Sequence, residues 1–421
     1  MQHSLSTTRA PRRPTARWRI AKRSWLLAAA AIAATVGTGL PAAASGGLPL
    51  QEYVNDGAGG HLWNAYNQTE DAQGPDITGR PSAITYGPTV QVFVQSDAGD
   101  LMSWVNDNIG GHLWNAYDLS QLAGGGGAIS GNPDAVSSGP TVDVFVESAA
   151  DDLIEYTNDG ADGHLWNAYD LSATAGGGGP VDGDPSALFA AGGPAVFVRA
   201  SSGDLVEYAE AGSTWTVTDL TGSASGGTTV SGDPSALNLS GTLDVFVRSA
   251  GGALVRYTEI GGSWATEDLS QIANGGAPVQ SNPATILFSS TMHVYVASAG
   301  SELTEYTDDA AGGAGWDAYN LSTLAGGGAT VQNDPSALVY GPTVHVYVQS
   351  GPGDLIEYVN DGVAGRLWNA YDLSQDAGAG GPIGTDPAAV LYGGSVVHVY
   401  AGGSNSCTSN LAGQLSNTGG A

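Results

Sequence analysis

The sequence predicts an all-β protein, a seven-bladed β-propeller with four-stranded blades, whose ring is closed by a composite blade from both chain ends. A Trp recurs with spacings of 51, 52, 49, 49, 52 and 52 residues, at Trp63, Trp114, Trp166, Trp215, Trp264, Trp316 and Trp368. Each copy also carries a Pro followed by small residues, and a valine-rich run such as TVHVYVQS. Repeats of about 40 to 50 residues built from short strands are typical of propeller blades.

Each copy divides into four candidate strands, which the sixth copy illustrates with DPSALVYG, TVHVYVQS, GDLIEYVND and RLWNAYDLS. In the second run, Val344, Val346 and Val348 alternate with His345 and Tyr347, which is the period of two expected of a strand. Bulky residues on both faces are expected where one sheet is stacked between two others. Stretches such as AGGGGP separate the copies and are expected to be flexible surface connections.

The two ends of the repeat array are half-copies that complete each other. Residues 47–67 supply only a third and a fourth strand, and residues 386–401 supply only a first and a second. Pairing the two halves closes the ring and leaves no open sheet edge. The predicted propeller therefore spans 45–403, with blades at approximately 80–120, 132–172, 184–221, 233–270, 282–322, 334–374, and 386–401 with 47–67.

The first 44 residues are predicted to be a secretory signal peptide, so we expect a secreted, extracellular protein. Seven basic residues precede an apolar run from Trp25 to about Val36, and small residues follow at 42–44. The apolar run is too short to span a bilayer comfortably. At the other end, residues 404–421 are polar and small and are predicted to be disordered. Cys407 is the only cysteine, so no internal disulfide can form.

Charge narrows the range of partners. Beyond the leader the chain has five Arg, no Lys and 41 acidic residues, which gives a net charge of −36. Such a body repels phosphate backbones and anionic lipid, so we expect neither nucleic-acid binding nor membrane insertion. The acidity itself is typical of a soluble extracellular protein. The sequence leaves the oligomeric state open.

Four copies share a polar loop that makes them candidate binding sites. Ten positions separate the aromatic residue that ends the third strand from the repeat Trp in five copies, against seven in the other two. Four of these long loops hold an Asn-Asp pair, and a His or Arg two residues before the Trp. They contain Asn55, Asp56, His61 and Trp63; Asn106, Asp107, His112 and Trp114; Asn158, Asp159, His164 and Trp166; and Asn360, Asp361, Arg366 and Trp368. Around a closed ring these four blades are consecutive.

These residue types suit a carbohydrate. Indole offers a flat apolar surface to the C–H face of a sugar, and carboxylate, amide, imidazole and guanidinium groups bind its hydroxyls. Two structural interpretations stay open. Every copy has the Trp, which could pack the blades together, and Asn-Asp before Gly is a common turn former.

Metal and cofactor sites are not expected. The loop histidines lie on different blades, so one zinc ion would require them to converge across the ring. The loops are rich in oxygen ligands, but their spacing differs from that of a twelve-residue calcium loop. The AGGGG runs have no Lys-Ser/Thr after them to form a phosphate-binding loop.

All seven copies, from residue 47 to 403, resemble the repeats of secreted β-propeller lectins, both seven-bladed bacterial fucose-binding lectins and related fungal ones. VFVESAADDLIEYTNDGADGHLWNAYDL carries the resemblance through a valine strand, a Gly-Asp or Asn turn and a closing Trp. In the fungal lectins, an Arg on the second strand, a Glu on the third and a Trp from the neighbouring blade hold the sugar. The Glu position is matched by Glu52, Glu155, Glu207, Glu305 and Glu357, and is Ser103 and Arg256 in two copies. The Arg position holds Gln91, Asp143, Ala195, Asp244, His293, His345 and His398.

We therefore predict a multivalent lectin, not an enzyme, with glycans or glycoconjugates as partners and no cofactor. Glu52, Glu155 and Glu357 join the loop residues as predicted ligand contacts, although a buried Glu would also need a partner within the protein. A propeller hydrolase or polysaccharide lyase is the alternative, and it would need two carboxylates converging on one bond. A protein-interaction platform is a third possibility.

Overall fold

The computed structural model describes residues 46–309, 315–378 and 380–403. The predicted signal peptide, the predicted disordered tail and Cys407 lie outside these residues. Within them, no helix is long and apolar enough to cross a membrane.

The described residues form 28 strands arranged in seven antiparallel sheets of four. The chain begins with β1 (Leu50–Val54) and β2 (Asn64–Asn67). Blade 1 contains β3 (Ile77–Tyr86), β4 (Thr89–Ser96), β5 (Leu101–Val105) and β6 (Asn115–Asp118). Blade 2 contains β7 (Asp134–Ser138), β8 (Thr141–Glu147), β9 (Leu153–Thr157) and β10 (Asn167–Asp170). Blade 3 contains β11 (Ser186–Phe189), β12 (Pro194–Arg199), β13 (Leu205–Ala211) and β14 (Thr214–Asp219).

Three further blades and two final strands complete the ring. Blade 4 contains β15 (Ser235–Leu239), β16 (Thr242–Arg248), β17 (Leu254–Ile260) and β18 (Ser263–Asp268). Blade 5 contains β19 (Ala284–Phe288), β20 (Thr291–Ala297), β21 (Leu303–Thr307) and β22 (Asp317–Asn320). Blade 6 contains β23 (Ser336–Tyr340), β24 (Thr343–Gln349), β25 (Leu355–Val359) and β26 (Asn369–Asp372). The last strands are β27 (Ala388–Tyr392) and β28 (Val396–Gly402).

The composite blade joins the two ends of the array, as the half-copies predict. Its strand order is β27, β28, β1, β2, and β1 pairs with β28 from Leu50↔Gly402 to Val54↔His398. The side chain of Asn55 extends this pairing, because its Oδ1 accepts from the Val397 amide at 2.7 Å. The prediction of a seven-bladed propeller closed by a composite blade is confirmed.

A short helix follows the fourth strand of every blade, where the sequence predicts only flexible connections. The helices are α1 (Gln68–Ala72), α2 (Leu119–Leu122), α3 (Leu171–Ala175), α4 (Leu220–Ser223), α5 (Leu269–Ile272), α6 (Leu321–Leu324) and α7 (Leu373–Asp376). The residue before each helix is an Asp or Asn whose side chain accepts from a backbone amide of the first turn, as Asp118 does from Gln121. In six of the seven, the first residue is a buried Leu. Helices of four or five residues are too short to leave a periodic sequence signal.

The glycine-rich linkers are fixed against the outer edge of the next blade. The Gly124 amide donates to the Trp166 carbonyl at 3.0 Å, and the Ala168 amide donates to the Gly124 carbonyl at 2.8 Å. A Cβ at position 124 would lie 2.6 Å from Asn167 Oδ1. The same approach is made by Ser225 and Asn274 at two other blades, where Ala265 and Asp317 replace this Asn. The linker thus covers an otherwise exposed strand edge.

The first strands of the blades surround a central cavity of about 220 Å³. Seven prolines line it, at Pro81, Pro133, Pro185, Pro234, Pro283, Pro335 and Pro387. The residue before each proline belongs to a hydrogen-bonded belt, in which Asn132 Oδ1 accepts from the Arg80 amide at 2.7 Å. The same link continues through the side chains of Asp184, Asp233, Asn282, Asp334 and Asp386. Arg80 has no acceptor atom, so the belt lacks a seventh link of this kind.

Candidate functional site

The Asp of each Asn-Asp pair organises its own loop. Asp361 Oδ1 accepts from the Val363 amide at 3.0 Å and from Asn369 Nδ2 at 2.6 Å. Its Oδ2 accepts from the Tyr371 hydroxyl at 2.8 Å. Burial opposes ionisation, but these bonds outweigh it and lower the pKa of Asp361. The carboxylate therefore has three partners within the protein before any ligand arrives.

The other three loops repeat this arrangement. Asp56 accepts from Ala58, Asn64 and Tyr66; Asp107 accepts from Ile109, Asn115 and Tyr117; Asp159 accepts from Ala161, Asn167 and Tyr169. Short 3-10 helices at Ala58–Gly60, Ala161–Gly163 and Val363–Gly365 occupy the tips of three of these loops. The Asn and Tyr partners belong to the run WNAY, which these four copies share, and the sequence pattern by itself does not link this run to the Asp. Ligand contact by these aspartates stays a prediction, and their observed role is to hold the loop.

The Asn of each pair continues the hydrogen bonding between the second and third strands. Asn360 Oδ1 accepts from the Val344 amide at 2.7 Å, and Asn158 Oδ1 accepts from the Val142 amide at 2.8 Å. Asn106 does the same for Val90 at 2.7 Å. Each of these asparagines therefore connects its loop to the second strand of the same blade.

The repeat tryptophans pack between blades. Each indole makes an edge contact with an aromatic ring on the second strand of the preceding blade, at centroid distances of 5.9 to 6.4 Å. The predicted contacts Trp63, Trp114 and Trp368 are buried, and Trp166 is partly buried. Their neighbours are Tyr347, Tyr400, Tyr295 and Phe93 respectively. The packing interpretation accounts for the presence of the Trp in all seven copies, and sugar contact through these indoles stays a prediction.

The His or Arg of each long loop lies next to an exposed leucine. His61, His164 and Arg366 are exposed, and His112 is partly exposed. The Leu that follows each of them is also exposed, by 72% at Leu62, 66% at Leu165, 67% at Leu367 and 43% at Leu113. Arg366 Nη1 reaches back to the Ala325 carbonyl of the preceding blade at 3.3 Å. The leucines were not among the predicted site residues, although their repetition before Trp is visible in the sequence.

The predicted glutamates Glu52 and Glu357 lie in polar clusters that face the next blade. Glu357 Oε1 bonds to His345 Nδ1 at 2.7 Å and accepts from the Tyr347 hydroxyl at 2.9 Å. Two other blades repeat the cluster with the same geometry: His293, Tyr295 and Glu305 in blade 5, and His398, Tyr400 and Glu52 in the composite blade. We call these three groups the His-Glu-Tyr clusters. His and Tyr are two residues apart on the second strand, so both side chains point to the face on which the third-strand Glu lies.

Each His-Glu-Tyr cluster is completed by the Trp of the next blade. Tyr347 contacts Trp63, Tyr400 contacts Trp114, and Tyr295 contacts Trp368. The histidine side chains retain 11 to 14% of their exposure and the glutamates 4 to 8%. Each cluster is therefore a nearly buried polar group, and its histidine keeps a larger exposed fraction than its glutamate.

At the other four junctions, different residues occupy the positions of the His-Glu-Tyr cluster. Between blades 4 and 5, Arg256 bonds to Asp244 at 2.7 Å and to Glu267 at 3.0 Å, and lies over the Trp316 ring. Between blades 2 and 3, burial together with Asp143, Glu210 and Asp159 raises the pKa of the predicted contact Glu155 to about 8. Between blades 3 and 4, Glu207 and Ala195 occupy the positions of the Glu and the His, and between blades 1 and 2 these positions are Ser103 and Gln91. Among the residues that the structure describes, three junctions thus combine an imidazole with a carboxylate on these strands.

The described residues contain no group of three or more His, Cys, Asp or Glu placed to hold a metal ion. The three predicted loop histidines remain on separate blades, and two of them lie near the linker that precedes their own blade. A Cβ at Gly378, for example, would lie 3.1 Å from His61 Cδ2, and one at Gly124 would lie 3.0 Å from His164 Cδ2.

No protein-family model and no curated protein sequence matches the chain. Its fold resembles that of several solved structures. A lectin of Burkholderia pseudomallei aligns with a TM-score of 0.48 and 16% identity, over 78% of this chain and 98% of that one. The lectin of Aleuria aurantia, a six-bladed propeller that recognises fucose, aligns with a TM-score of 0.44 and 18% identity, over 73% and 97%. AofleA of Arthrobotrys oligospora aligns with a TM-score of 0.44 and 16% identity, over 78% and 90%. What this chain shares with them is the β-propeller fold.

Proposed function

We propose that this protein is a secreted, multivalent lectin whose sugar sites lie at the three blade junctions with a His-Glu-Tyr cluster. The observation that supports the proposal most directly is the repetition of one polar arrangement, with matching bond distances, at three consecutive junctions. A residue set that served packing alone would not need an imidazole and a carboxylate in each interface, because such groups are costly to bury. Secretion is proposed from the predicted signal peptide.

The chemistry of the cluster suits a hydroxyl-rich ligand. The carboxylate accepts hydrogen bonds, and the imidazole donates or accepts according to its tautomer. In blade 6, Glu357 pairs in register with Tyr371 on the neighbouring strand, and the Tyr371 hydroxyl donates to Asp361 in the loop. A sugar seated over this junction would meet the partly exposed His345 side chain and the Thr343 hydroxyl that bonds to its Nε2 at 2.8 Å. It would also meet the loop of the next blade, which carries His61 and Leu62.

Three equivalent sites on one rigid ring favour multivalent binding. The junctions between blades 5 and 6, between blade 6 and the composite blade, and between the composite blade and blade 1 follow one another around the ring. Several weak sites on one scaffold can raise avidity by about 10² to 10⁴ without new contacts. The natural ligand is therefore expected to present the same sugar many times on one surface or polymer.

Glycoside cleavage is a second candidate, favoured by the junction between blades 2 and 3. There burial and the nearby carboxylates, Asp143 among them, raise the pKa of Glu155 to about 8, which favours its protonated form at neutral pH. A protonated carboxyl beside a second carboxyl is the pair that acid-base cleavage of a glycosidic bond requires. Such an activity would depend on one junction, whereas binding at the His-Glu-Tyr clusters would depend on three.

A glycan screen of the purified protein, followed by calorimetry with the best-bound glycan, tests the proposal. We expect about three sites per chain and no cleavage products in chromatography of the incubated glycan. Glu357→Gln should remove about one site, and the triple variant Glu52→Gln, Glu305→Gln and Glu357→Gln should bind no glycan. Glu207→Gln is the matched control, because its junction has Ala195 in place of the His, and it should bind like the unchanged protein.

Two results would contradict the lectin proposal. One is full binding by the triple variant when its circular dichroism matches that of the unchanged protein. The other is turnover of the glycan that disappears in Glu155→Gln, which would support the hydrolase.

A further inference from the structure

One junction of the ring, between the composite blade and blade 1, departs from the repeat in its buried residues. The first helical residue is a buried Leu in six blades: Leu119, Leu171, Leu220, Leu269, Leu321 and Leu373. In α1 of the composite blade this position is Gln68, which is fully buried. Its Nε2 donates to Glu52, but its Oε1 has no hydrogen-bond partner. An apolar contact of the repeat has been replaced here by a half-satisfied amide.

The same junction lacks the tyrosine that fastens the linker elsewhere. At the other six junctions a third-strand Tyr hydroxyl bonds to the backbone of the preceding linker, through Tyr53, Tyr156, Tyr208, Tyr257, Tyr306 and Tyr358. Blade 1 has Trp104 at this position, which is fully buried against Gly74, where a Cβ would lie 2.9 Å from the indole Cζ2. Trp104 Nε1 has no hydrogen-bond partner. The indole fills space but makes no polar bond to the linker.

Two further polar atoms of this junction are buried without a partner. Asp71, one turn after Gln68 in α1, has an unpartnered Oδ1. His398 has an unpartnered Nε2, because Val396 replaces the Thr343 whose hydroxyl bonds to His345 Nε2 at 2.8 Å in blade 6. Blade 1 covers this region with the apolar side chains of Met102, Trp104 and Trp114. Water cannot relieve the four atoms while the junction is closed, since each exposes less than 1 Å².

We infer that the junction between the composite blade and blade 1 is the seam at which the propeller opens first. A buried polar group without a partner destabilises the closed state, and separation of the two blades hydrates all four groups at once. The belt around the central cavity lacks its side-chain link between the composite blade and blade 1, because Arg80 takes the place of an Asp or Asn and offers no acceptor atom. Local opening of this kind is a sub-global event, in which the other six junctions keep their packing.

Native-state hydrogen exchange read by mass spectrometry tests the seam. In the unchanged full chain, peptides covering α1 and β5 should exchange at least about tenfold faster than the equivalent peptides covering α2 and β9, because each unsatisfied group weakens closure. The double variant Gln68→Leu and Trp104→Tyr restores the residues of the other junctions. Blade 6 shows that Leu373 is compatible with Glu357 in this setting. We expect exchange at the junction to slow by at least about tenfold in this variant.

A second double variant, which introduces the two departures at another junction, tests the inference even if Gln68→Leu with Trp104→Tyr fails to fold. Leu119→Gln with Tyr156→Trp places the same two departures between blades 1 and 2, and it should speed exchange of α2 and β9 without changing α1 and β5. The inference is wrong if the two junctions of the unchanged protein exchange at the same rate. It is equally wrong if neither the restored junction nor the transplanted one alters the exchange of its own peptides.

Discussion

Removal of the Asp361 carboxylate is expected to loosen one loop and lower the free energy of unfolding. Asp361→Ala deletes three hydrogen bonds, from the Val363 amide at 3.0 Å, from Asn369 at 2.6 Å and from Tyr371 at 2.8 Å. A hydrogen bond contributes about 0.5–1.5 kcal/mol net, and more when one partner is charged. Because the loop is partly exposed, we expect a loss of about 2–4 kcal/mol in urea unfolding at pH 7.

The pH dependence of this loss identifies its source. The pKa of Asp361 is lower in the folded protein than its ordinary value, so the carboxylate stabilises the fold above about pH 4 and loses this effect as the pH falls through its folded value. The difference between Asp361→Ala and the unchanged protein should therefore shrink between pH 5 and pH 3. Asp376→Ala, an exposed residue of α7, is the control and should change stability by less than about 0.5 kcal/mol. Equal stability of the two variants at pH 7 would refute the role assigned to Asp361.

Three further predictions concern the whole ring. Burial and neighbouring carboxylates raise the pKa of Asp233 and of Glu207 to about 7, so the folded state binds protons more tightly than the unfolded chain. The thermal midpoint of unfolding should therefore rise as the pH falls from 8 to 5. A lower midpoint at pH 5 would contradict this. Tyr156→Phe removes the bonds to the Gly127 amide and carbonyl at 3.1 and 3.0 Å and should lower the free energy of unfolding by about 1–3 kcal/mol in urea titration. Trp368→Ala should lower the free energy of unfolding by about 3–5 kcal/mol, whereas replacement of the exposed Leu367 by Ala should change it by less than about 0.5 kcal/mol. Similar values for the two variants would mean that the indole does not hold the blades together.

The repeat made most of the fold predictable. Strands show an alternation of two, and a period near 50 residues leaves room for four of them, so the blade follows from local pattern alone. The half-copies at residues 47–67 and 386–401 then require β1 to pair with β28, which the register Glu52↔Tyr400 confirms. The seven short helices were not predicted, since one turn is too short for a periodic signal and depends on a single capping Asp or Asn.

The candidate site was predictable only in part. The Asn-Asp loops were found because four copies repeat them, but hydrogen-bond saturation of Asp361 by Asn369 and Tyr371 depends on how the loop folds back on its strand. Burial of Trp63 against Tyr347 depends on contact between two blades that are distant in sequence. Residue type and spacing carry no information about such partners.

Taken by itself, the sequence determined the number of blades, the strand pattern within each blade and the closure of the ring, because these follow from periodicity along one chain. The tertiary structure alone decided which side chains meet across the blade junctions. His345, Glu357 and Tyr347 belong to one blade, yet the indole that completes their cluster comes from Trp63, at the opposite end of the repeat array. The two rings are almost 300 positions apart in the chain, and which side chains face each other at a junction depends on how the closed ring curves, which no local pattern encodes.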